Sequence, residues 1–97
     1  MSFVFHPVAE QEFNAAIDYY EEIDPALGYD FATEVYAAIQ RAVSLPEAWI
    51  AIDGDIRRSL VKRFPYGVLY SLEDDSIYIV AVMNLRRHPN YWKNRKS

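Results

Sequence analysis

Two long stretches in the first half of the chain repeat their apolar residues every three or four positions. In the first, Ala9, Phe13, Ala16, Ile17 and Tyr20 fall on one side, and Glu10, Glu12, Asp18, Glu21 and Glu22 take the others. That spacing traces one face of a 3.6-residue helix and predicts a helix over about residues 7–22. His6-Pro7 suits its start, since proline is pre-organised for the first helical turn. The second stripe is Leu27, Phe31, Val35, Ala38, Ile39 and Ala42. Asp24-Pro25 repeats the start signal with a carboxylate cap. Pro46 disfavours helix just before it, so this helix should stop near Ser44. A two-residue link implies a tight antiparallel hairpin. Gly28 either weakens the second helix slightly or lets the two helices approach closely.

The second half changes period. Ile56, Leu60 and Phe64 are interleaved with Arg57, Ser59, Val61 and Arg63, and Val68, Tyr70 and Leu72 follow. Such alternation reads as strands. On a strand through this segment Arg58 and Lys62 share one face, and Arg57 and Arg63 the other. Glu73-Asp74-Asp75-Ser76 is a polar hairpin turn. Ile77 to Met83 is apolar on both faces and reads as a central strand. Phe3–Phe5 suits a short edge strand, and residues 45–55, with Trp49 and Asp53-Gly54-Asp55, read as a loop. The expected fold is α+β: a short N-terminal strand, then an antiparallel helical hairpin packed on a small, mainly antiparallel sheet. With 97 residues, 52% of them hydrophobic, the chain supports one core and one domain spanning residues 1–97.

Charge divides this picture in two. Residues 1–55 carry eleven acids against one base, Arg41, a balance of −10. Residues 56–97 carry nine bases against three acids, a balance of +6. Two faces of opposite sign are expected, meeting different partners. The absence of cysteine excludes disulfides and thiolate chemistry. Only His6 and His88 offer imidazole, at no metal-binding spacing, so neither a metal nor another cofactor is expected. No signal peptide or membrane-length apolar run is present, and a cytoplasmic protein without membrane contact is expected.

Three groups of side chains are candidates for chemistry. The basic set is Arg57, Arg58, Lys62, Arg63, Arg86 and Arg87. Where these converge, guanidinium forks suit phosphate or carboxylate. The plain alternative is a solvated sheet face whose charges guard against aggregation. The tail holds His88, Tyr91, Trp92, Lys93 and Arg95. Aromatics among bases can stack on unpaired bases, and a Tyr or His can move a proton in RNA cleavage. Trp92 reads rather as a core anchor. The third group, Glu21 and Glu22, is adjacent on a helix, so the two do not face each other and read as solvated surface. Tyr19, Tyr20, Tyr29 and Tyr36 read as half-buried boundary residues.

In order and distance these features match a known pattern. Ala15-Ala16-Ile17-Asp18-Tyr19-Tyr20, Leu27-Gly28 with Phe31, Ala38-Ile39, Pro46 and Ile56-Arg57-Arg58 come first. Phe64-Pro65-Tyr66, Tyr70, Ala81-Val82 and Arg86-Arg87-His88-Pro89 follow. From Pro7 to Trp92 the chain resembles the RelE/ParE superfamily of toxins from bacterial type II toxin–antitoxin modules. The similarity is greatest to the ParE-like, plasmid-stabilisation members. The resemblance implies growth inhibition by a small toxin and neutralisation by a cognate antitoxin that wraps a segment around it. It implies no sequence-specific DNA binding by the toxin alone.

Two activities occur in the superfamily. RelE-like members cut mRNA in the ribosome, and ParE-like members inhibit DNA gyrase. The resemblance keeps a basic residue of the nuclease type at Arg58, sets Arg86 and Arg87 beside the position of another, and matches the terminal aromatic to Tyr91. It departs from that type at Leu60, Gly67 and Leu85. The expected activity is therefore inhibition of DNA gyrase or another protein target, with Arg58, Lys62, Arg86, Arg87, Tyr91 and Lys93 as the contact residues. The alternative is a metal-independent, ribosome-dependent endoribonuclease. There Arg58 and Arg87 would stabilise the transition state, and Tyr91 or His88 would move a proton. A further alternative is a non-toxic relative that only binds antitoxin.

Overall fold

Each apolar helix stripe finds its partner on one face of a sheet. The computed structural model describes residues 2–87 and 90–95. Strand β1 (Ser2–Phe5) leads into helices α1 (Pro7–Ile23) and α2 (Pro25–Ser44). Strands β2 (Ala51–Asp53), β3 (Ile56–Leu60), β4 (Tyr66–Glu73) and β5 (Ser76–Asn84) follow, and a 3₁₀ turn, Lys93–Arg95, comes last. The sheet order is β1-β5-β4-β3-β2. Only β1 runs parallel to its neighbour β5; the other pairs are antiparallel.

Local chemistry sets the helix limits. The N–H of Val8 donates to His6 Nδ1 at 3.0 Å, and the N–H of Ala26 donates to the Asp24 carboxylate at 2.8 Å. Asp24 also ends α1, its own N–H donating to the Tyr20 carbonyl, so one residue joins the helices. Gly28 serves close approach: a Cβ there would sit 2.9 Å from Glu21 Cβ and 3.0 Å from Glu21 Cα. No described helix is long and apolar enough to cross a membrane.

The helices bury Phe13, Phe31, Val35 and Ile39 against Val68, Tyr70, Ile77, Ile79 and Val82 of the inner sheet face. The outer face holds Ile56, Leu69, Val80, Ala81 and Met83, covered by Trp92. Trp92 is 2% exposed, so the tail does anchor the domain. Ile77–Met83 shows no alternation because both its faces are covered, and a bulge shifts its register. Leu69 pairs with Ala81 and Tyr70 with Ile79, so Val80 is skipped and joins Ala81 on the outer face. β5 lies inside the sheet, as its two apolar faces predict.

Three expectations need correction. Residues 51–53 form an edge strand rather than loop, because Ala51 pairs with Arg57 and Asp53 with Ile56. The strand through Arg57 ends at Leu60 and does not continue to Phe64. Arg63 takes a left-handed backbone (φ 71°), Pro65 has no N–H to donate, and the Val61 N–H turns back to the Tyr66 carbonyl. The shared face of Arg57 and Arg63 is lost with it. Arg57 instead donates to the carbonyls of Glu47 and Trp49, and Arg63 pairs with Asp30 at 3.4 Å. Finally, Tyr20 is half-buried, but Tyr19, Tyr29 and Tyr36 are exposed.

Candidate functional site

β1 pairs with β5 only as far as Ile79, so the last residues of β5 have no strand beside them on that edge. Two side chains fill the place of one. The Val82 N–H donates to Glu12 Oε1 at 3.2 Å, and Arg95 donates to the Val80 carbonyl at 3.3 Å. Arg95 and Glu12 then pair with each other at 2.8 Å, with side chains 12% and 14% exposed. An acceptor for an N–H and a donor for a C=O are what an edge strand would supply.

Glu12 of this pair lines a cleft of about 310 Å³ between α1 and the end of β5, to which Tyr19, Tyr66, Asn84, Arg87 and Tyr91 contribute. The Arg87 guanidinium lies 4.1 Å from the Tyr91 ring centre and that of Arg95 4.9 Å, both cation–π contacts. Burial pushes the Tyr91 hydroxyl above its ordinary range. The hydrogen bond and charge of Glu12 add to that shift, and Arg95 and Arg87 oppose it. Burial also raises Tyr66, against a lowering hydrogen bond from Asn84. At neutral pH both phenols are protonated. Tyr91 is a proton donor there, not a base. His88 lies outside the described residues.

Arg58 and Lys62 stand elsewhere. They line a cleft of about 480 Å³ with Arg41, Trp49, Ile50, Leu60 and Val61. The stem of Arg58 crosses Gly67: a Cβ on that glycine would meet Arg58 Cγ at 3.0 Å, Cδ at 3.1 Å and Leu85 Cδ2 at 3.4 Å. The Arg58 Nε–H is buried without an acceptor. Lys93 is at a third place, paired with Asp53 at 3.3 Å. Arg86 is exposed, and its backbone N–H closes the turn after β5 on Asn84 Oδ1 at 2.9 Å.

So the structure joins Arg87 to Tyr91 and Arg58 to Lys62, and leaves Arg86 and Lys93 apart. Two residues of the candidate clefts escaped the sequence reading. Glu12 reads as solvated helix surface, yet it lies one turn from both Ala9 and Ala16, at the margin of the apolar stripe. Arg41 is the lone base of the acidic half, and that isolation was its signal.

No family model and no curated protein matches the chain. Among solved structures, a chain of the chromosomal ParDE TA system from P. aeruginosa superposes with a TM-score of 0.75 at 16% identity, covering 89% of this chain and 97% of that one. The two chains share one fold. The ParDE likeness therefore bears out the expected α+β architecture, a helical hairpin on a small mixed sheet behind a short N-terminal strand. It agrees with the resemblance carried by Phe64-Pro65-Tyr66 and Arg86-Arg87.

Proposed function

We propose that the chain is the toxin of a type II toxin–antitoxin module, ParE-like, that acts by binding DNA gyrase or another protein target and is neutralised by a cognate antitoxin. The observation that carries this reading is the separation of Arg58 from Arg87 and Tyr91 within a fold shared with a ParDE chain. Cleaving RNA through its 2′-OH needs a proton donor and cations within hydrogen-bonding reach of one phosphate. Here Arg58 and the Arg87–Tyr91 pair line two clefts with no residue in common. The position after Tyr66, basic in the nuclease type, is a glycine whose side-chain space Arg58 and Leu85 already fill. The contact residues on this reading are Arg86, Arg87 and Tyr91, with Arg58 and Lys62 at a second place and Lys93 at a third.

A supercoiling assay with purified protein and gyrase tests the proposal. Supercoiling should fall with added protein, and Arg87→Ala should weaken the effect. Unchanged supercoiling at large molar excess would reject gyrase as the target. One observation favours the nuclease reading: Arg87 stacks on Tyr91, a cation next to a phenol hydroxyl. Toeprinting on translating ribosomes separates the two. New mRNA ends that disappear with Tyr91→Phe would establish cleavage, and their absence with protein that arrests growth would exclude it.

A further inference from the structure

We propose that Glu12 and Arg95 are positioning residues for Arg87: they hold the Tyr91 ring in place, and the ring holds the exposed guanidinium in the orientation it presents at the cleft. The inference rests on the reading of Arg87 and Tyr91 as target contacts, and it adds two residues that act through them. Arg87 is exposed and, among the described residues, makes no ion pair. A side chain of that length has many rotamers to lose when a partner orders it. Here the Tyr91 ring already takes its guanidinium at 4.1 Å. Stacking of this kind orders the cation before binding, and preorganisation strengthens association.

The ring is held in its turn. It is half-buried, meets the Arg95 guanidinium at 4.9 Å and reaches Glu12 through its hydroxyl. Both holders are tied to the sheet. Glu12 accepts from the Val82 N–H at 3.2 Å, Arg95 donates to the Val80 carbonyl at 3.3 Å, and their 2.8 Å ion pair joins the two. The backbone of β5 is thereby linked to a surface arginine through one side chain of α1 and two of the tail. A substitute for a strand would need only the two bonds to β5. The contacts of the same two side chains with Tyr91 are what a positioning role adds.

Ring currents move a proton lying over an aromatic face upfield, so the Arg87 Nε–H signal of the isotope-labelled full chain reads its placement directly. In the parent it should lie upfield of its position in Tyr91→Leu, which sets the unstacked reference. Glu12→Gln keeps an acceptor for Val82. Arg95→Lys keeps a charge beside Glu12 but loses the planar fork, so both variants should fold. Each should carry the Arg87 signal at least half-way to the unstacked position. A folded variant with that signal at its parental position would overturn the proposal and leave the pair as a strand substitute only. So would a parent signal that coincides with Tyr91→Leu. In the supercoiling assay the same two variants should weaken inhibition about three- to tenfold. Undiminished inhibition by a variant whose Arg87 signal has moved would overturn the proposal too. A parent protein that leaves gyrase untouched strikes that target instead, and the Arg87 signals still decide the positioning.

Discussion

Arg95→Ala removes one half of the side-chain pair that stands in for a strand beside β5. The pair is 2.8 Å long and both partners are nearly buried, so the carboxylate of Glu12 is left with its charge uncompensated. Its Oε2 already lacks a partner. Breaking a buried pair from one side costs about 3–5 kcal/mol. Glu12 keeps the Val82 N–H at 3.2 Å and the nearby Tyr91 hydroxyl, which places the cost at the low end, about 3 kcal/mol. For a domain of this size each kcal/mol lowers Tm by about 4–8 °C, so a fall of roughly 12–24 °C is expected. Glu12→Gln should be milder, about 1 kcal/mol, because the amide oxygen still accepts from Val82 and the long Arg95 stem can turn its charge to water. Glu12→Gln with Arg95→Ala should then cost less than Arg95→Ala alone, since no buried charge remains. Urea unfolding of the four proteins, with shared m-values, measures the cycle. An Arg95→Ala protein within about 0.5 kcal/mol of the parent, or a double variant whose cost is the plain sum, would refute the strand-mimic account.

Gly28→Ala should destabilise, although alanine favours helix by about 1 kcal/mol, because its Cβ meets Glu21 backbone and Cβ atoms and overpacking costs about 1–3 kcal/mol; a raised denaturation midpoint would contradict this. Trp92→Ala uncovers the outer sheet face and should cost about 3–5 kcal/mol, while Trp92→Phe, which also removes an indole N–H buried without a partner, should cost much less; equal losses would show that the tail does not anchor. Tyr70 donates to the Pro46 carbonyl at 2.7 Å, and burial pushes its hydroxyl up to about 12. The folded state holds that proton more tightly, so the contribution is whole below pH 10 and is lost as pH rises from 10 through about 12; unfolding free energies at pH 8 to 11.5 should fall less steeply in Tyr70→Phe than in the parent, and equal slopes would count against it.

The helices were legible nearly to the residue because their signals are local. His6-Pro7 and Asp24-Pro25 start them, and the stripes from Ala9 to Tyr20 and from Leu27 to Ala42 give the period. Register was not legible. The bulge at Val80 is a property of two strands in contact, and Ala51-Ile52-Asp53 carries no alternation and becomes a strand only by pairing with β3. The candidate site was legible in part. Arg58 and Lys62 do share a cleft, but the chain turns at Val61 and reaches it that way, not along one strand face. The contact of Arg87 with Tyr91 depends on how the tail folds back over β5, which no spacing in the sequence encodes.

The −10 and +6 halves suggested one basic face confronting one acidic face. The structure divides that positive charge further. Arg57 is bound to loop carbonyls, Arg63 to Asp30, Lys93 to Asp53 and Arg95 to Glu12. Among the described residues, Arg58, Lys62, Arg86 and Arg87 make no ion pair. Arg58 and Lys62 share one cleft with Arg41 of the acidic half, Arg87 lines another, and Arg86 stands apart from both, so there is no one continuous stripe. A phosphate backbone is held by a row of cations along its track. On the proposed reading of a protein target, two short clusters in place of such a row are what the charge pattern should show, and a net charge of −4 is compatible with a basic contact surface.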